Sequence, residues 1–363
     1  MINYFWGAVL LLHPFVTKIS AFNDNRHGVD FFLFSMVICS VLLWGIKPDK
    51  RIGILSIFIG WNLLVQNDFN LYYSITQNYS FLIGAIFISH LYTHIDNLAD
   101  TFHKCIVAMS LIGVFYHLLD TYFHISPRQL FVETFYNGVK AVSSDGRADR
   151  TTGGFLLNQN ITGAYFAFSI PSFIYLKKLK LMIFPIIAVF FTSAWPVITM
   201  LSFFGFLAFN EAVKHKILPY LLAIIAILTA FLLSPHELHW LDTGRFLIWA
   251  KTIKLNYLNF KLFGNGLGFF AENFNIFTKI MRPAIIRQEH NEFLAVFNSF
   301  GFIGLGLFIY SLVKLGTGRN KLANAVLFSI FINMLCNFTL HMSALFVVVS
   351  FWVCISLKSE VRA

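Results

Sequence analysis

The sequence predicts an all-α, polytopic membrane protein of about twelve transmembrane helices, with a large polar region between the ninth and the tenth. Three observations predict it. The chain is 57% hydrophobic and 12% charged, whereas soluble domains carry about 25% charged residues. Its apolar residues gather into long runs, and its basic residues sort between the connections. No low-complexity linker divides residues 1–363 and no internal repeat is evident, so the chain reads as one integral membrane unit.

The apolar runs fall at about 4–22, 30–46, 52–66, 80–95, 104–119, 157–176, 181–194, 196–210, 217–234, 292–313, 323–339 and 341–357. Several are short against the ~20 residues that cross a hydrocarbon core. Met1 leads almost directly into the first run with no small-residue cleavage site, so no signal peptide is expected. Forty-four phenylalanines suit lipid-facing helices with aromatic ends. Cys39, Cys105, Cys336 and Cys354 lie inside apolar runs without metal-ligand spacing and read as buried thiols.

Charge sets the orientation. With the N-terminus inside, the inner connections hold Lys47–Arg51, the turn at Lys104, Lys177–Lys180, Lys214–Lys216, Lys314–Lys321 and the tail with Lys358 and Arg362. The short outer connections are nearly free of basic residues, as the positive-inside rule requires. The net charge of +10 is therefore largely topological, and no nucleic acid is implied. Two long outer segments, about 120–156 and 235–291, carry the remaining cations, among them Arg147, Arg150, Arg245, Arg282 and Arg287. A cationic outer face suits an anionic ligand.

Within the second segment, Phe246, Trp249, Ile253 and Tyr257 recur at helical spacing. They predict an amphipathic helix over 241–257 at the membrane surface, which holds Arg245 near the depth of a lipid phosphate. Gly264-Asn265-Gly266-Leu267-Gly268 follows. Such backbone turns or approaches a ligand closely, but with no strand before it and no phosphate-binding lysine after it, it is not a nucleotide loop.

Three residues carry candidate chemistry. His290 stands at the predicted outer edge, ahead of Asn291 and the helix opening at Glu292. An imidazole with an ordinary pKa of about 6.5 can take a proton from an attacking alcohol. Arg150 and Arg245 offer the planar fork that pairs with phosphate. After Arg150, Asn158 and Asn160 lead into an apolar helix, where they either cap it or bind sugar hydroxyls. His13, His90, His94 and His215 read as helix-face or interfacial residues. No paired-carboxylate motif, Walker sequence or Gly-x-Ser-x-Gly elbow is present, and no metal or cofactor is expected.

His290-Asn291, nine residues, then Gly301-x-x-Gly304 resembles the histidine motif of the bacterial O-antigen ligase and O-antigen polymerase family. Gly244-Arg245…Trp249, with Gly264-x-Gly266-x-Gly268, is similar to that family's second arginine region. Arg150-x-x-Gly153…Asn158-Gln159-Asn160 is similar to its first. The likeness covers about 150–310. It implies some twelve spans in the bacterial inner membrane, with a periplasmic region at 235–291 over the active site. It also implies metal-independent transfer of a glycan from undecaprenyl diphosphate. The acceptor is another lipid-linked repeat for a polymerase, or lipid A–core for a ligase. Membrane lipids and a chain-length regulator are the further implied partners. Carried over, His290 is the general base, and Arg150 and Arg245 grip the diphosphate. Arg147, Asn158, Asn160, Trp249, Gly264, Gly266 and Asn291 bind substrate.

One departure stands out. Many members carry Thr-x-Ser-Arg at the outer end of the next helix hairpin, where this chain has Thr192-Ser193-Ala194-Trp195-Pro196. That departure and the short chain favour polymerase over ligase, with Arg147, Arg282 or Arg287 as alternative sources of charge. A lipid-linked glycan transporter is the competing class. Its expected marks are repeats and midplane charge, whereas 181–234 and 323–357 are nearly free of charge.

Overall fold

The apolar runs fold as helices, because few helix breakers interrupt them. The computed structural model describes residues 1–16, 23–24, 29–46, 71–122, 156, 159–215, 245–258, 262–266, 269–270, 291–316, 320–335 and 343–361. Ten helices lie among the described residues: α1 (Ile2–Val16), α2 (Phe31–Trp44), α3 (Leu71–Tyr122), α4 (Gln159–Tyr175), α5 (Ile183–Phe190), α6 (Ala194–His215), α7 (Arg245–Leu258), α8 (Glu292–Gly316), α9 (Lys321–Met334) and α10 (Ser343–Val361). Among the described residues the β-structure is confined to a short antiparallel ladder between α1 and α2. It pairs β1 (Asn23–Asp24) with β2 (Val29–Asp30), Asn23 opposite Asp30.

Two helical stretches among the described residues, Ile83–Leu119 and Glu292–Tyr310, are long and apolar enough to cross a membrane. The expected spans at 52–66 and 217–234 lie outside the described residues. The expected span at 181–194 is corrected to α5, eight residues long. At 1.5 Å per residue α5 extends only about 12 Å. The chain there climbs instead through a series of turns from Lys177 to Met182 before α5 begins.

Helix α3 spans both helices expected at 80–95 and 104–119, a helical run of 52 residues with no separate loop between them. Yet α3 is not a straight rod. The Trp6 ring lies 5.4 Å from that of Phe87 and 6.2 Å from that of Phe102. In a straight helix those two residues stand about 22 Å apart, too far to share one indole. Helix α10 gives the direction. Cys354 donates to the Ile88 carbonyl and Lys358 bonds Asp96, so α10 runs parallel to the first half of α3. Phe351 stacks on Phe102, and Val347 and Val348 line a small cavity with Cys105 and Ile106, so it runs antiparallel to the second. The chain therefore reverses between Tyr92 and Phe102, where the sequence placed a turn.

Helix α3 carries α1 and α10 on its flanks, α4 packs between α3 and α6, and α9 lies along α6. Trp6, Phe87, Phe102, Phe166, Phe168, Phe203, Phe351 and Trp352 fill the centre. Polarity is inverted relative to a soluble core. Ser40, His90, His103, Ser110, Thr162, Ser169, Ser172 and Thr199 are buried, while Leu42, Leu43, Phe115, Phe184, Phe190, Phe302 and Tyr310 are exposed. The buried hydroxyls join helices: Ser169 donates to Ser110 at 2.8 Å, and Ser172 hydrogen-bonds His103 at 3.0 Å. Polar glue inside and bare apolar side chains outside are what a lipid surround selects. Cys105 and Cys354 are buried as expected, but Cys39 lies on an exposed face.

Candidate functional site

The site region is where α4, α6, α7 and α8 begin and α9 ends. Helix α7 starts at Arg245, in agreement with a helix over 241–257. Ile253 and Tyr257 of its expected apolar stripe are exposed and Trp249 is half-buried. The inward face carries Arg245, Thr252, Leu255 and Asn256. Ile253 and Tyr257 of the helix thus face outward, while Arg245, Thr252 and Asn256 face the protein. Arg245 is only 5% exposed, and its guanidinium lies over the Trp195 ring, 5.6 Å from the centroid. A guanidinium stays charged when buried, and an aromatic face is one of the few apolar surfaces that attracts it.

Trp195 belongs to the segment that departs from the family pattern, and polar contacts fix it. Its carbonyl accepts from the Thr199 hydroxyl at 2.8 Å, and that hydroxyl accepts from Asn333 Nδ2 at 2.8 Å. Ser193 donates to Asn160 Oδ1, tying the same turn to the head of α4. Gly163 allows this approach, since a Cβ there would lie 2.6 Å from the Pro196 ring.

Helix α8 begins beside the histidine motif. Asn291 Oδ1 accepts from the Leu294 backbone N–H at 3.0 Å, and Nδ2 donates to the Leu335 carbonyl at 2.8 Å. Asn291 is thus a helix cap that also binds α8 to the end of α9. Glu292, two residues from His290, is buried in the first turn of α8, where the helix dipole favours a carboxylate.

Helix α8 is also broken. Gly301 has φ 68° and ψ −163°, so two helical pieces meet there. The glycine loop sits in the break. Asn265 N–H donates to the Asn298 carbonyl at 2.8 Å, and Gly266 N–H to the Ser299 carbonyl at 3.0 Å. Loop amides thereby occupy carbonyls next to the interruption, as burial requires. Gly264 has φ +83° and faces Gly301 across the contact. A Cβ on Gly301 would come 2.5 Å from the Gly264 nitrogen and 2.6 Å from the Leu262 carbonyl carbon. Gly264 and Gly266 therefore seat the loop on α8. Beside it Asn265 Nδ2 donates to Asn256 Oδ1 at 3.4 Å, while Asn256 Nδ2 and Asn265 Oδ1 are buried with no hydrogen-bond partner.

Of the expected site residues, Arg147, Arg150, Asn158 and His290 lie outside the described residues. Arg245 and Trp249 share α7, whose first residue meets Trp195. Asn160 and Asn291 spend their amides on neighbouring turns and helices. The three motif segments are thus linked through Asn160–Ser193, Arg245–Trp195 and Asn265–Asn298. Asn333 and Asn256 went unnoticed in the sequence, where Trp195 was read only as part of the departing segment and Glu292 only as the start of a helix. Asn333 had a signal, an amide at the end of the apolar stretch of α9; the Trp195–Arg245 contact had none, since the two residues are fifty positions apart. No protein-family model matches the chain, and no curated protein matches it.

Proposed function

We propose that the protein is a multi-pass glycosyltransferase of the bacterial inner membrane, of about twelve spans, that polymerises an undecaprenyl-diphosphate-linked oligosaccharide at the periplasmic face. The observation that carries this reading is Arg245: a buried, permanently charged guanidinium held on an aromatic face, between the turn bound to Asn160 and the helix that follows His290. Such a group stabilises an anionic leaving group at a dry site. In the reaction His290 takes the proton of the acceptor hydroxyl, whose oxygen bonds the donor's anomeric carbon. The bond from that carbon to the diphosphate breaks, and Arg245 and Arg150 receive the charge it releases. The donor is already activated, so positioning, deprotonation and charge stabilisation suffice. The ligase alternative would use lipid A–core as acceptor; Trp195, in place of the arginine of the family pattern, favours the polymerase.

The test is the glycan ladder formed from a lipid-linked repeat in proteoliposomes. His290→Ala is expected to reduce polymer by about 10²- to 10⁴-fold, and Arg245→Ala comparably, with both proteins still inserted. Near-normal ladders from both would overturn the enzymatic reading. One observation favours a second reading, a lipid-linked glycan transporter: broken helices such as α8 line transporter sites. Translocation of the lipid-linked glycan with no new glycosidic bond would establish that reading instead.

A further inference from the structure

We infer that the Asn256–Asn265 pair is a sugar subsite: Asn256 Nδ2 donates to a hydroxyl of the glycan, and Asn265 Oδ1 accepts from it. The inference rests on the reading above and adds where the oligosaccharide, as distinct from its diphosphate, is recognised. Three features of the structure carry it. First, both side chains are buried, yet they share a single contact of 3.4 Å that leaves Asn256 Nδ2 and Asn265 Oδ1 without a partner. Exchanging oxygen and nitrogen in both amides only reverses the roles, so one donor and one acceptor remain either way. Second, different elements hold the two amides. Asn256 stands on α7, whereas the Asn265 backbone N–H is fixed to the Asn298 carbonyl of α8. Gly264 and Gly301 let that loop and α8 meet backbone to backbone. Third, Arg245, Thr252 and Asn256 share the buried face of α7. Asn256 stands about 16 Å along it from Arg245. A donor whose diphosphate lies at Arg245 therefore presents sugar, not phosphate, to the pair.

The leftover groups also select the ligand. Phosphate oxygens only accept and an ammonium only donates, so neither satisfies both atoms; a hydroxyl does. Leu262 and Phe263, at the start of the loop, are 50% and 41% exposed. The pair thus lies just beneath the loop's outer surface, where a hydroxyl that parts the 3.4 Å contact reaches it. His103 Nε2 and Trp352 Nε1 are also buried without a partner. They differ in place and surroundings. They belong to α3 and α10, away from the candidate site, and the His103 ring is covered by Tyr175 at 3.8 Å and Phe351 at 4.8 Å.

The experiment measures binding of two radiolabelled lipids to the purified full chain in detergent: the lipid-linked repeat of the ladder assay, and bare undecaprenyl diphosphate. The wild-type chain should prefer the repeat. Asn256→Leu and Asn265→Leu each remove one hydrogen bond to the sugar, which corresponds to about 2- to 13-fold in affinity. Each should lose that factor for the repeat and nothing for the bare lipid. Thr252→Val lies on the same buried face, but its hydroxyl already bonds the Ile248 carbonyl at 2.7 Å, so it should leave the preference intact. The ratio of the two affinities is the readout, because a general loss of fold lowers both together. A preference untouched by both Leu variants means that water alone occupies the pair, and it overturns the inference. An equal loss for both lipids, or equal affinity of the wild-type chain for them, overturns it too. In these cases ladders that fail with His290→Ala and Arg245→Ala leave the enzyme reading standing. A wild-type chain that binds neither lipid removes the functional reading and this inference with it.

Discussion

The two ends of the helix bundle use the same kinds of polar side chain to different effect. At the end where α3 reverses, the Trp6 indole N–H donates to Ser40 Oγ at 2.9 Å, and Ser40 Oγ lies 2.7 Å from His90 Nε2. His90 Nδ1 meets the Gly45 carbonyl at 3.0 Å, so Nδ1 must be the donor, and Nε2 accepts from the serine. Every group has a partner, the ring and the serine are fully buried, and the network is closed. At the other end the Asn256–Asn265 pair leaves two buried polar atoms without partners, a helix is interrupted, and a guanidinium rests on a ring. A Ser–His pair at 2.7 Å resembles catalytic apparatus, yet closure marks it as a fastening. Incompleteness costs stability, and it is not confined to the Asn256–Asn265 end: His103 Nε2 and Trp352 Nε1, near the reversal of α3, are also buried without a partner.

The contrast breaks most readily at Gly301. An alanine there would be forced into positive φ, at about 1–2 kcal/mol, and its Cβ would strike Leu262 and Gly264, a clash that typically costs a further 1–3 kcal/mol. Gly301→Ala should therefore lower the thermal midpoint in detergent markedly and abolish the ladder. Gly205 and Gly306, where a Cβ meets nothing within 4 Å, are the controls and should tolerate alanine. An unaltered midpoint for Gly301→Ala would mean that the loop does not seat in the break.

Next come the two polar clusters, which should respond in opposite ways. Ser40→Ala removes the acceptor of the Trp6 indole and the donor to His90 Nε2, leaving those two nitrogens only their longer mutual contact at 3.3 Å, at about 0.5–1.5 kcal/mol. It should reduce stability while ladder formation per folded molecule stays normal. Asn256→Leu removes a buried donor that has no partner in the protein. Since Asn265 Nδ2 loses its 3.4 Å acceptor as well, stability should change little, yet the ladder should be impaired. Differential scanning fluorimetry beside the ladder assay reads both. If Ser40→Ala costs activity rather than stability, the closed network is no mere fastening.

Much of this architecture was legible in the sequence because hydropathy and charge act locally. The helices at 30–46, 157–176, 323–339 and 341–357 follow their apolar runs, and the reversal of α3 falls before Lys104, where basic residues foretold a connection. That the reversal falls within one helical run, with no separate loop, was not legible. No glycine or proline lies between Tyr92 and Phe102, and the expectation of a separate loop had nothing to contradict it. The break in α8 was hidden for the converse reason. Gly301 sits in an apolar run that reads as one helix, and only its docking against Gly264 selects positive φ. Arg245 was identified from its residue type, but its contact with Trp195 is made by tertiary packing alone.

The smallest energetic effect is expected where α3 turns, and it comes with the sharpest geometric test. Lys358 bonds Asp96 at 2.9 Å, with side chains 25% and 42% exposed. Pairs this open contribute about 0–1 kcal/mol, so Lys358→Ala should shift the thermal midpoint only slightly, and less so at high salt. The pairing it marks is nevertheless decisive for topology. A cysteine at Ile88 should cross-link to the native Cys354, whose Sγ lies 3.5 Å from the Ile88 carbonyl. A separate Phe102→Cys, Phe351→Cys chain should also cross-link, since those rings stack at 5.0 Å. Positions 88 and 102 stand about 21 Å apart in a straight helix, while 351 and 354 are neighbours on one turn of α10. Both cross-links can therefore form only if α3 folds back. Formation of one without the other would straighten the helix, move Lys104 out of its connection and reverse the side on which everything after it emerges.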